Sequence, residues 1–125
     1  MQKKRIIFTL LYSDQQFLLS RNFKIQKIGD INWLKKNYNF SEIAKAIDEL
    51  VILNIGKKDD KSFDKFCEIL KKVTEGIFVP VAAGGGIDSL EKAKKILRSG
   101  SDKIVINSLT LHKTQYLREL IKIFG

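Results

Sequence analysis

The chain has 125 residues, 44% hydrophobic and 30% charged, which is a globular composition with enough length for one core and a single domain over residues 1–125. No apolar run reaches the roughly 18–20 residues that span a bilayer. The basic start Met1-Gln2-Lys3-Lys4-Arg5 leads into a short apolar stretch with no small-residue cleavage site, so the expectation is a cytoplasmic protein with no membrane contact.

In chain order, residues 5–11 (RIIFTLL) read as a strand apolar on both faces, and the long segment 12–29 that follows has room for a small hairpin over the end of a sheet. A broken helix follows, with Asp30 capping a turn through Trp33 to Asn37 and Ser41-Glu42 opening a second piece to Ala46. Residues 50–55 (LVILNI) form a second strand. The next helix takes Ser62 as its cap and buries Phe63, Phe66, Cys67, Leu70 and Val73 at helical spacing. Residues 78–83 (FVPVAA) form a third strand. The helix after Asp88-Ser89 buries Leu90, Ala93, Ile96 and Leu97 and stops before Gly100. Residues 103–107 (KIVIN) form a fourth strand, and a last helix from Thr114 buries Leu117, Leu120, Ile121 and Phe124.

Strand and helix alternate four times, which predicts an α/β fold with a parallel sheet, (βα)4. Residues 47–54 (IDELVILN) resemble residues 101–108 (SDKIVINS). Each has an acid before the strand and an Asn near its end, where ligands sit in such folds.

The single cysteine, Cys67, lies on an apolar stripe and reads as a packing group. With His112 the only histidine, no internal disulfide or Cys/His metal cluster is open to the chain, and no catalytic residue or cofactor is assigned. The net charge of +9 is spread over pairs such as Lys35-Lys36, Lys57-Lys58, Lys71-Lys72 and Lys94-Lys95 without interleaved aromatic residues. That is the pattern of solvated helix faces and not of a nucleic-acid surface.

The most informative segment is residues 80–89 (PVAAGGGIDS), where a strand ends in three glycines and a helix opens at once. Glycines let the backbone approach a ligand, and a helix N-terminus favours negative charge, which together make a phosphate site. Gly85 and Gly86 supply the backbone, and Asn107 and Ser108 at the end of the next strand add a side-chain donor and an N–H. The competing reading is a tight turn that merely needs positive φ.

Lys4-Arg5-Ile6-Ile7, Asn22-Phe23, Gly29-Asp30, Asp48-Glu49-Leu50-Val51, Ala83-Gly84-Gly85-Gly86-Ile87 and the run Asp102 to Ser108 occur in this order. Together they resemble the cyclase subunit of imidazole glycerol phosphate synthase, a (βα)8 barrel of histidine biosynthesis. The resemblance runs along nearly the whole chain but covers the first half of a barrel that takes about 250 residues. It implies a bis-phosphate substrate, one phosphate being held by each half, here at Gly86, Asn107 and Ser108. It implies a charged gate at the other barrel end at Arg5, Glu49 and Lys103, a glutaminase-facing Asp102, and ammonia delivered by a glutaminase partner.

The departures matter as much. The family's first catalytic aspartate falls on Leu11, a loop lysine on Leu19, and an aspartate ending strand two on Asn54. The second catalytic aspartate belongs to strand five, beyond residue 125. General acid/base chemistry needs titratable groups, so the resemblance implies a lyase whose cyclase activity is lost. The alternative is an active cyclase, lyase or nitrogen-transfer subunit working with a glutaminase in histidine or surface-sugar biosynthesis.

Four parallel strands cannot close a ring. Each apolar side chain left in water forgoes roughly 1.5–3 kcal/mol, against a typical domain stability of about 5–15 kcal/mol. A two-fold homodimer would pair strand one of each copy with strand four of the other and complete a (βα)8 barrel. A separate partner supplying strands five to eight, or a relic that does not fold alone, are the other outcomes.

Overall fold

The computed structural model describes residues 3–22, 24–37, 39–75, 77–106 and 114–124. The strands are β1 Ile7–Ser13, β2 Gln16–Arg21, β3 Lys24–Gly29, β4 Glu49–Asn54, β5 Val81–Gly84 and β6 Lys103–Val105. The helices are α1 Ile31–Asn37, α2 Phe40–Ala46, α3 Asp60–Thr74, α4 Leu90–Arg98 and α5 Thr114–Phe124. One sheet runs β3-β2-β1-β4-β5-β6, with β1, β4, β5 and β6 parallel and the β2–β3 hairpin antiparallel beside β1. The expected α/β alternation is present.

Side chains alternate across the sheet. Leu10 and Tyr12 of β1, Leu50 and Ile52 of β4, and Val81 and Ala83 of β5 are buried in one core with Phe63, Phe66, Cys67, Leu70 and Val73 of α3 and Ala93 and Ile96 of α4. In β1 and β4 the intervening residues behave differently. Ile7 is 55% exposed, and Leu11, Val51 and Leu53 are half-buried. Among the described residues, β1 and β4 therefore have one face covered by helices and the other only partly covered, while β5 is buried on both.

Several boundaries move. β1 begins at Ile7 and reaches Ser13, because Leu11, Tyr12 and Ser13 pair with Leu18, Phe17 and Gln16. The two turn residues Asp14 (φ 47°) and Gln15 (φ 66°) both adopt positive φ, the twist a two-residue hairpin needs. The hairpin thus extends the sheet and does not lie over its end. It also covers the β1 margin over Leu11–Ser13, part of the edge expected to stand open. The third strand starts at Val81 and not at 78. Pro80 has no N–H to give a ladder, and Phe78 is 98% exposed. β6 ends at Val105.

α3 is capped by Asp59 and not by Ser62. The Ser62 backbone N–H donates to Asp59 Oδ1 at 2.8 Å, and this bond holds the Asp59 carboxyl below its ordinary range. Asp30 receives the Trp33 N–H at 2.9 Å and opens α1 as expected. In α4, Ala93 and Ile96 are buried but Leu90 and Leu97 only partly so. Among the described side chains of α5 only Leu120 is buried. Leu117 is half-covered, and Ile121 and Phe124 are 59% and 44% exposed.

The repeated acids prove structurally equivalent. Asp48 Oδ2 accepts from the Ile6 N–H at 2.6 Å while the Asp48 N–H donates to the Ile6 carbonyl at 2.8 Å. Asp102 Oδ2 accepts from the Val81 N–H at 2.8 Å while its own N–H donates to the Val81 carbonyl at 2.8 Å. Each acid clasps the start of the neighbouring strand and fixes the register of β4 on β1 and of β6 on β5.

Candidate anion site at the strand ends

β5 delivers the glycine turn to the C-terminal end of the parallel sheet. Gly85 has φ +109° and Gly86 φ +73°. A Cβ on Gly85 would overlap the Asn54 carbonyl oxygen, and one on Gly86 would sit 3.2 Å from Lys58 Cδ. These glycines meet the tight-turn reading: the turn needs positive φ, and it must also pass against the end of β4. Ile87 is buried just beyond and anchors the turn. The Ser89 hydroxyl then caps α4 by accepting the Lys92 N–H at 3.3 Å. The glycine turn thus leads directly into the start of α4.

Lys58 is the residue sequence reasoning missed. It was read as part of a solvated pair, yet its stem lies over Gly86 and its ammonium donates to the Asn54 carbonyl at 3.3 Å. Only the path of the loop between β4 and α3 reveals this, because 28 positions separate Lys58 and Gly86 in the chain. Asn54 itself is buried, and its Oδ1 accepts the Gly56 N–H at 3.1 Å, so its side chain shapes that loop. Asn107 and Ser108, expected to complete the site, lie outside the described residues, as does His112.

Leu11 stands near the same end of the sheet, opposite Leu53 of β4 and Leu18 of β2. An aliphatic side chain there can neither donate nor remove a proton. At the opposite end, Lys103 Nζ meets Glu49 Oε1 at 3.2 Å, which joins two of the three residues assigned to a gate. Arg5 is exposed. The Asp102 carboxylate is already engaged by Val81.

A second polar recess, of about 100 Å³, lies between the β1–β2 turn and the start of α3. Tyr12, Asp14, Gln15, Asn54, Lys57, Ser62 and Lys65 line it. Burial pushes the Tyr12 phenol above its ordinary range, against a smaller downward pull from the Gln15 backbone. Burial likewise raises the Cys67 thiol, in keeping with its reading as a packing group. Among the described residues, no three or more His, Cys, Asp or Glu side chains gather as metal ligands, and no helix is long and apolar enough to cross a membrane.

Residues 25–125 match the family described as histidine biosynthesis protein. The chain belongs to that family. Its members are (βα)8 barrels. The chain is 47% identical over 125 residues to a protein of Parasynechococcus marenigrum provisionally named imidazole glycerol phosphate synthase subunit hisF2, covering all of this chain and 46% of that one. It is 35% identical over 126 residues to the imidazole glycerol phosphate synthase subunit HisF of Methanococcus vannielii, covering 44% of that protein. It is 36% identical over 126 residues to the HisF subunit of Clostridium botulinum, covering 48%. The chain spans about half the length of the curated relatives it matches.

Proposed function

We propose that this chain is a phosphate-binding half-barrel that has lost cyclase chemistry and works as a homodimer. The observation that carries the reading is the Gly85-Gly86 turn at the end of β5, held against Asn54 and roofed by Lys58, in a member of a family whose named relatives are subunits of imidazole glycerol phosphate synthase. Gly86, Lys58 and the start of α4 receive the phosphate, and Asn107 and Ser108 complete the site. Leu11, in place of the acid that the resemblance assigns to that position, removes a proton-transfer group. The sheet face away from the helices and the β1 and β6 margins are where a second copy completes the barrel, placing two phosphate sites at one mouth for a bis-phosphate.

Titration calorimetry with inorganic phosphate tests the site, and loss of binding in Gly86→Asp is the expected result. Unchanged binding in that variant makes the glycines purely structural. Light scattering tests the assembly, and a stable monomer at micromolar concentration removes the homodimer. A second reading, a subunit that takes ammonia from a glutaminase, is favoured by the Glu49–Lys103 pair at the gate positions. Growth of a cyclase-deficient histidine auxotroph on this chain would select it over the first.

A further inference from the structure

At its last residue β4 departs from the apolar pattern of its own core face. Alternation sends Leu50, Ile52 and residue 54 to the helix-covered side, and all three are buried, but the third is Asn54, 4% exposed. An amide in such a place costs stability unless it is hydrogen-bonded, and it adds nothing to the ladder, which runs through backbone groups. The Ile55 N–H still donates to the Tyr12 carbonyl at 2.8 Å. One residue later the partner is a side chain, because the Gly56 N–H donates to Asn54 Oδ1 at 3.1 Å. An Asn that bonds the backbone two residues on closes a turn of its own.

That turn governs where Lys58 goes. The far end of the loop is fixed separately, since Asp59 Oδ1 accepts the Ser62 N–H at 2.8 Å and starts α3. Lys58 thus lies on a short link pinned at both ends by a side chain. Its ammonium donates back to the Asn54 carbonyl at 3.3 Å, and its stem lies against Gly86. The same Asn54 carbonyl is what a Cβ on Gly85 would strike. Strand end, lysine loop and glycine turn therefore meet at one residue, whose side chain shapes the loop and whose carbonyl touches both other parts.

We propose that Asn54 is the positioning residue of the anion site: its side-chain bond to Gly56 sets the loop that carries Lys58 to the glycine turn. Asn54 acts through Lys58 and is not itself a phosphate ligand. This inference rests on the phosphate reading given above.

The test is calorimetry with inorganic phosphate on the parent, Asn54→Leu, Lys58→Ala and the double variant, paired with NMR hydrogen exchange at the Gly56 amide. Leucine has nearly the volume of asparagine and suits the apolar face, so the fold is kept while the acceptor is lost. Asn54→Leu is expected to speed Gly56 exchange about tenfold, the scale of one lost hydrogen bond. It is expected to weaken phosphate binding by a factor close to that of Lys58→Ala, and the double variant to bind no more weakly than Lys58→Ala alone. Asn54→Asp, which keeps an acceptor in place, is expected to hold the Gly56 amide protected. Losses that multiply in the double variant, an unchanged Gly56 amide in Asn54→Leu, or Asn54→Leu binding like the parent would each overturn the role of Asn54 and leave the phosphate site standing. A parent that does not bind phosphate removes the phosphate reading and this inference with it.

Discussion

Lys58 and Gly85 show how much one side chain, or the lack of one, decides at the strand ends. The Lys58 stem lies against Gly86 while its ammonium is tied to the Asn54 carbonyl. Lys58→Ala is expected to weaken phosphate binding about tenfold, the size of a charge-assisted hydrogen bond, while the urea midpoint stays put. Gly85→Ala is expected to act the other way. The turn must hold φ +109° against the Asn54 backbone, and a methyl group suits neither demand. A loss of about 2 kcal/mol or more, read from urea unfolding, is the predicted outcome. The glycines were legible in the sequence because three in a row after a strand have few physical reasons. Lys58 was not, because its nearness to Gly86 is a property of the folded loop. The Tyr12 hydroxyl was equally hidden, since alternation marks Tyr12 as buried but says nothing of what its oxygen meets.

Single elements carry their own tests. The two clasps formed by Asp48 and Asp102 share no partner, so Asp48→Ala and Asp102→Ala are each expected to cost about 1–2 kcal/mol in urea unfolding and to add in the double variant. The Asp59 cap gives α3 a pH dependence of known sign. The folded carboxyl titrates below its unfolded value, so its contribution is complete above the unfolded pKa and is lost as pH falls through the folded one. Below about pH 4 the parent is expected to lose stability that Asp59→Asn does not, seen as converging urea midpoints between pH 6 and 3. α3 itself was legible, since Phe63, Phe66, Cys67, Leu70 and Val73 repeat at one helical face and all are buried. Its cap was misplaced by three residues because Asp59 and Ser62 are both good capping types, and the choice rests on backbone geometry. The hairpin was legible as a feature but not in its place. Asp14-Gln15 is not a glycine turn, and only the pairing of Tyr12 with Phe17 reveals that β2 continues the sheet.

At the scale of the molecule, the sequence pattern announced strands apolar on both faces, and among the described residues β5 is buried on both while β1 and β4 are buried on one. What the pattern could not announce is how the β2–β3 hairpin divides the β1 margin. β1 and β4 are zipped over six registered pairs. With Leu11–Ser13 taken by the hairpin, the other four residues of β1 and the three of β6 limit a ladder between two copies to about 10–13 Å. Such a short seam would make the proposed association rely on side-chain contact across the interior and not on backbone bonding. Two populations carrying different affinity tags should therefore swap partners within hours of mixing, giving doubly tagged hybrids that co-purify. Kinetically locked pairs would mean that the hairpin gives way to a longer zipper when the copies meet.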